Sequence, residues 1–260
     1  MAKIEVVVLI PESTRKRPGG SPGSTGEDAI AAALPAAGRA KLEGLRDEVL
    51  KKIPPGTVTQ GKLLPAYQRY DGNMYRMIPQ EAWEQRSPAV EVVIASALRG
   101  LVASRDPIPS YHLSMAESTP PFGKMNRWWH AAGLPDVLAT YLTAVRPKAV
   151  VDLLSLEYRE SVAGYQNRLP GISVQPIDFP GMDARANRRA GKRSRSSCGP
   201  GKRSLGLRDR LPRIDERLLH DSRLPRSRRV DDFDFRAEVG EGDWHHGVAD
   251  VLLEPRGMDC

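Results

Sequence analysis

Residues 64–115 read LPAYQRYDGNMYRMIPQEAWEQRSPAVEVVIASALRGLVASRDPIPSYHLSM, and the fold turns on the middle of this stretch. VEVVIAS (90–96) runs apolar on both alternating faces, the pattern of a central strand covered on both sides. SALRGL (96–101) follows. Ser96, Gly100 and Leu101 read as a tight strand-to-helix turn, where a small serine and a missing Cβ let a backbone or a ligand approach closely. Upstream, residues 62–77 place Leu63, Leu64, Tyr67, Tyr70 and Met74 on one side of a helix. Asp71-Gly72 suits a helix end that needs positive φ at the glycine. Tyr75 suits a buried ring with its hydroxyl as a polar handle.

Outward from this stretch, strands alternate with helices. IEVVVLI (4–10) reads as a buried first strand, and its Pro-Glu ending does not suit a signal-peptide cleavage site. Residues 11–26 form a Pro/Gly/Ser loop carrying Arg15, Lys16 and Arg17. Residues 28–52 suit an amphipathic helix interrupted near Pro35 and Gly38, and IPPGT (53–57) stops it. Residues 125–144 read as helix, with Trp128, Trp129, Leu138, Tyr141 and Leu142 as core. AVVDLLS (149–155) is a buried strand, LEYRESVAGY starts a helix, and GISVQPIDF (171–179) is an edge strand on account of Pro176. FDFRAEV (233–239) and GVADVLLE (247–254) are apolar again, the second a final strand. This alternation predicts an α/β sheet.

The composition is 40% hydrophobic, enough for a core, with no run of the roughly 18 apolar residues that a membrane span needs. Cys198 and Cys260 both lie in polar surroundings with no C-x-x-C, which argues against a disulfide framework and a structural zinc and fits a reducing cytoplasm. The net charge of +7 is local in origin. Residues 185–229 hold 14 Arg and 2 Lys against 4 acidic residues, a balance of +12, so the rest of the chain carries −5. Such a run releases counterions from a phosphate backbone, giving salt-dependent, sequence-independent affinity. Without interleaved aromatics it favours double-stranded over single-stranded partners. The bland reading is a solvated, low-order segment.

Other candidates carry two readings each. IPPGT could be the hairpin of a helix-hairpin-helix element, offering backbone N–H groups near Gly56 to a phosphate with Lys62 beside it, or an ordinary helix–helix turn. The cations after the first strand stand where α/β sheets bind ligands, or are surface charges. His112, near Asp106 and Tyr111, could hold a phosphate when protonated, or could be a satisfied hydrogen-bonding residue. Asp152 and Glu157, with Tyr158 after them, could do acid/base or metal chemistry, while Glu157 also suits a helix N-terminus. Ser96 lacks a G-x-S-x-G elbow and a nameable base. His245 and His246 face opposite sides of a strand, so no metal site is predicted, and no cofactor.

VVVLIPESTRKRPGG (6–20), PAYQRYDGNMY (65–75), IASALRGL (94–101), DPIPSYHLSM (106–115), the Trp128 helix and VVDLLSLEY (150–158), in this order, resemble the YaaA-type peroxide-stress protein family over about residues 4–165. The resemblance implies a cytoplasmic protein that protects against hydrogen peroxide, in part by limiting unincorporated iron. It also implies a compact mixed α/β fold with a helix-hairpin-helix element, binding double-stranded DNA through a positively charged cleft, with no attached enzymatic reaction. Asp71, Gly72, Tyr75, Ser96, Gly100, Leu101, Asp106, Tyr111, Asp152, Glu157 and Tyr158 stand in its motifs. Arg99 replaces a usual aromatic and His112 a usual arginine, and ARANRRAGKRSRSSCGPGKRS (184–204) blurs the family's basic motif.

The expectation is therefore a single α/β domain, a mixed sheet flanked by helices, over residues 1–180. A basic low-order insertion (181–229) precedes a C-terminal strand region (230–260) that completes it. The expected function is non-enzymatic binding of duplex DNA phosphates by a monomer, with no membrane partner. Its contacts would be Lys16, Arg17, Gly56, Lys62, Arg99 and His112, and Lys192, Arg193 and Arg195 in the basic run. The alternatives are an enzyme on a nucleotide or phosphorylated substrate, using Ser96, Asp106, Asp152 and Glu157, and a frame-damaged relative without activity.

Overall fold

The computed structural model describes residues 3–21 and 28–177. Its centre is strand β1 (Val6–Pro11), flanked in parallel by β3 (Val90–Ser96) and β8 (Ala149–Asp152). The register runs Val6↔Val90 to Pro11↔Ala95 on one side and Val6↔Ala149 to Leu9↔Asp152 on the other. β1 takes the centre because Val6 through Ile10 are all apolar and all buried. Each such side chain contributes about 1.5–3 kcal/mol when removed from water. β4 (Gly100–Ala103) folds back antiparallel on β3, and β9 (Ser173–Pro176) extends β8 in parallel, giving the mixed order β4-β3-β1-β8-β9. Pro176 sits on the edge strand, where its missing N–H costs no ladder bond.

The helices cover this sheet. α1 (Ala29–Ala33) and α2 (Ala36–Lys52) break at Pro35, while Gly38 stays inside α2, where an added Cβ would come 3.2 Å from Thr140. Between them and β3 lie β2 (Val58–Pro65) and the short α3 (Ala66–Arg69), α4 (Asn73–Met77) and α5 (Gln80–Glu84). β5 (Pro107–Tyr111) pairs antiparallel with β2 as a separate ribbon. The small β6 (Ser118–Thr119) and β7 (Gly123–Lys124) precede α6 (Met125–Ala131) and α7 (Leu134–Val145). α7 packs on α2, and α6 on α8 (Leu156–Ser161). A single 3-10 turn (Tyr165–Arg168) leads to β9. No described helix is long and apolar enough to cross a membrane.

Five expectations need correction. VEVVIAS is an inner strand, but β1 holds the centre. Residues 62–77 are not one helix. Val58–Pro65 extend as β2, with Val58 opposite Tyr111 and Leu64 opposite Ile108, because pairing with β5 satisfies their backbone better than helix would ahead of Pro65. IPPGT is consequently a turn from helix to strand, not the hairpin between two helices. Ser96–Leu101 is a strand-to-strand turn, not strand-to-helix: Gly100, at φ +71, reverses the chain into β4. An added Cβ there would lie 2.9 Å from Trp129 and Leu134, so the glycine is also a close-packing site. Gly72 is no positive-φ helix end; it precedes α4 at φ −79.

Residues 181–229 and 230–260, with Lys192, Arg193, Arg195, both cysteines, His245, His246 and the strand expected at 247–254, lie outside the described residues.

Candidate functional site

Beyond Pro11 the chain leaves the sheet at the carboxyl ends of β1, β3 and β8, where open α/β sheets place their ligands. The first side chain there is Glu12, fully buried. Tyr111, at the end of β5, donates a short hydrogen bond to Glu12 Oε2. The Tyr111 hydroxyl also meets Tyr70 Oη at 2.7 Å and Ser96 Oγ at 2.9 Å. Lys16 turns inward beside them: its Nζ lies 3.8 Å from Glu12 Oε2, donates to the Leu113 carbonyl at 2.9 Å and stands 4.0 Å over the Tyr111 ring. Burial pushes the Glu12 carboxyl up, against the opposing pull of the Lys16 charge. Burial pushes Lys16 down, against Glu12 and Glu117. Tyr70 and Tyr111 are both pushed up by burial, so their phenols stay protonated near neutral pH.

Close packing holds this cluster in place. Tyr75 donates to the Pro11 carbonyl at 2.8 Å, and Gly72 lies against Ser13, which caps the loop by accepting from Arg15 N–H. The buried Arg69 guanidinium donates to the carbonyls of Arg17, Gly19, Lys62 and Ile108, tying the loop after β1 to the β2–β5 ribbon.

The expected DNA contacts separate into groups. Lys16 is inside the cluster, with 2% of its side chain exposed. Arg99 reaches Asp28 at 3.1 Å, alongside Arg46, and its buried Nε has no partner among the described residues. Arg17 and Lys62 are exposed and drawn together by Arg69, with Arg17 also 3.4 Å from Asp71. His112 is exposed at the other end of the ribbon, next to the turn that holds Gly56, its N–H donating to Thr57. Of the side chains expected to contact DNA among the described residues, Arg17, Lys62 and His112 thus face solvent, whereas Lys16 and Arg99 are spent on internal pairs.

The four residues of the enzyme alternative share no common hydrogen-bonded group. Ser96 belongs with Tyr111. Asp106 accepts from Ala29 and Ala103 N–H, and is pushed up to about 7 by burial and then by the Asp28 charge. Asp152 accepts from Leu154 N–H at 3.0 Å, with Arg159 and Tyr165 at 3.5 and 3.4 Å, and burial raises it. Glu157 sits in the first turn of α8, and Tyr158 is buried. Asp71 is held down to about 2, chiefly by its hydrogen bonds from Arg76. Leu101 is core, and its carbonyl accepts from Arg46. Among the described residues no group of three His, Cys, Asp or Glu side chains is placed to hold a metal ion.

Sequence reasoning missed Glu12, Tyr70 and Arg69 as organisers of this region. A carboxylate directly after a fully apolar strand, four residues before a lysine, was the available signal for the first.

The family whose description is peroxide stress protein YaaA matches residues 39–181, more than half of the 260-residue chain. No curated protein matches the chain. The matched span carries β2 to β9, and with them Arg69, Tyr70, Ser96 and Tyr111 of the strand-end cluster. The chain belongs to the YaaA peroxide stress protein family.

Proposed function

We propose that this chain serves the peroxide-stress response by binding double-stranded DNA through backbone phosphates, as a non-enzymatic cytoplasmic monomer. The observation that carries the reading is the concentration of charge: +12 within residues 185–229 of a chain that is otherwise net acidic. Phosphate neutralisation by such a run is sequence-independent and supplies affinity without a shaped pocket. Exposed Arg17 and Lys62, whose carbonyls Arg69 draws together, add a second cationic patch among the described residues. Coating DNA in this way would put protein side chains between the duplex and radicals made from peroxide and iron. A lowered level of free iron belongs to the same proposal.

The test is duplex-DNA affinity across a salt titration, for the full chain and for a form lacking 185–229. The logarithm of affinity should fall with slope about −0.9 per phosphate contacted. Deleting the basic run should flatten the slope by several contacts, and Lys62→Ala by about one. Under conditions where it folds, Lys16→Met should leave it unchanged, because that ammonium is not at the surface. A full-length chain that binds no duplex at low salt overturns the proposal.

A further inference from the structure

Five aromatic rings form an unbroken line from the surface to the strand-end cluster. Tyr67, half-buried, stacks on Trp83 with centroids 5.6 Å apart. Trp83 stacks on Tyr75 at 5.8 Å with planes 8° apart. Tyr75 lies 5.3 Å from Tyr70, and Tyr70 meets Tyr111 edge-on at 6.5 Å, their hydroxyls in hydrogen-bond contact at 2.7 Å. The rings come from α3 and the residue after it, α4, α5 and β5, so only the tertiary fold makes the line continuous. Trp83, Tyr75, Tyr70 and Tyr111 are all at most 6% exposed.

Stacking is a common way to fill a core, and by itself such a line says nothing of electron flow. What distinguishes it here is its inner end. A phenol that loses an electron becomes a strong acid and must shed its proton. Buried Tyr111 has a carboxylate in direct hydrogen-bond contact to take it, Glu12 Oε2. Tyr75 instead donates to the Pro11 carbonyl, which cannot accept a proton at neutral pH. The burial that raises Glu12 makes it the better base. The Lys16 ammonium over the Tyr111 ring opposes a ring cation, so proton and electron must leave together.

We infer that Tyr67, Trp83, Tyr75, Tyr70 and Tyr111 form a one-electron relay that carries oxidising equivalents from the surface to Tyr111, with Glu12 as the proton acceptor. In the net step a surface one-electron oxidant, such as the hydroxyl radical from peroxide and ferrous iron, takes one electron and is reduced. The electron comes from Tyr111 through the intervening rings. The Tyr111 O–H bond breaks, its proton passes to Glu12, and a neutral phenoxyl radical and a carboxylic acid remain. Enclosed away from water and from other radicals, that phenoxyl is long-lived and available for re-reduction. The relay rests on ring geometry; its use against peroxide-derived radicals rests on the proposed stress role.

The experiment is photo-oxidation of the full-length protein by ruthenium tris-bipyridyl with persulfate, read by electron paramagnetic resonance. The wild type should show a tyrosyl radical whose lifetime falls at least tenfold in Tyr111→Phe. Trp83→Phe, which keeps an aromatic ring but breaks the relay, should cut the yield severalfold. Where Tyr111→Phe fails to fold, a fluorotyrosine at position 111 keeps the shape and should change the hyperfine pattern of the signal. A signal indifferent to the fluorine, or a yield unchanged in folded Trp83→Phe, overturns the relay. Failure of DNA binding in the salt titration would overturn the proposed function and leave this result intact.

Discussion

A Cβ added at Gly72 would lie 2.6 Å from Ser13 Oγ and 3.1 Å from Ser13 Cβ. This close approach, not a left-handed backbone, is what position 72 requires, and it presses the loop after β1 against the start of α4. Ser13 is buried and already occupied by Arg15 N–H, so it has little room to yield. Gly72→Ala is expected to destabilise the fold by about 1–3 kcal/mol, the range for overpacking. A urea midpoint equal to that of the wild type would show that the loop gives way freely.

Glu12 and Lys16 are both withdrawn from water and lie 3.8 Å apart. Removing one partner strands the other, at a cost of about 3–5 kcal/mol, whereas replacing both by apolar side chains costs far less. Glu12→Leu and Lys16→Met are each expected to be strongly destabilising, and the double variant clearly more stable than their sum. Additive losses in the double-mutant cycle would mean that the two groups do not act as a pair.

Asp106 supplies a pH dependence. Burial raises its folded pKa to about 7, above the 3.8 of the ordinary carboxyl. The folded chain therefore keeps a proton that the unfolded chain releases. The stabilising contribution is complete below about pH 3.8 and is lost as the pH rises toward 7, with a slope of at most about 1.4 kcal/mol per pH unit. Asp106→Asn should lose this slope between pH 4 and 7. It should also be less stable throughout, because Ala29 and Ala103 N–H each need an oxygen and the amide offers one. Parallel stability curves for variant and wild type would contradict this.

Arg69 joins four backbone carbonyls from three segments through one guanidinium. A lysine carries the same charge on a single nitrogen and cannot reach all four. Arg69→Lys is expected to cost roughly 2–4 kcal/mol, since hydrogen bonds from a charged donor are worth more than neutral ones. It should also raise the rate of tryptic cleavage after Arg15 and Lys16, where the loop is no longer tied down. Unchanged cleavage would place the loop's order elsewhere.

Much of the fold was readable along the chain because its signals are local. The apolar runs at 4–10, 90–96 and 149–155 became β1, β3 and β8, and Pro35 broke the helix pattern where expected. The edge position of Pro176 followed from its missing donor. The error at 62–77 has a physical cause. Leu64, Tyr67 and Tyr70 satisfy a helical period, but pairing with β5, 42 to 53 residues on, outweighed it, with Val58 opposite Tyr111 and Leu64 opposite Ile108. Trp83, Tyr75 and Tyr111 lay in plain sight as aromatics, with nothing to say that they touch.

Alternation of apolar runs and helical periods, together with the ordered family motifs, was enough to settle an α/β sheet and membership among peroxide stress proteins. Which charges face water was a matter for three dimensions. Lys16 finds its acceptor at Leu113, 97 residues away, and Tyr111 finds Glu12 across 99. A charged side chain is turned in or out by partners that only the folded chain brings within reach, and a linear string of residues carries no record of that distance.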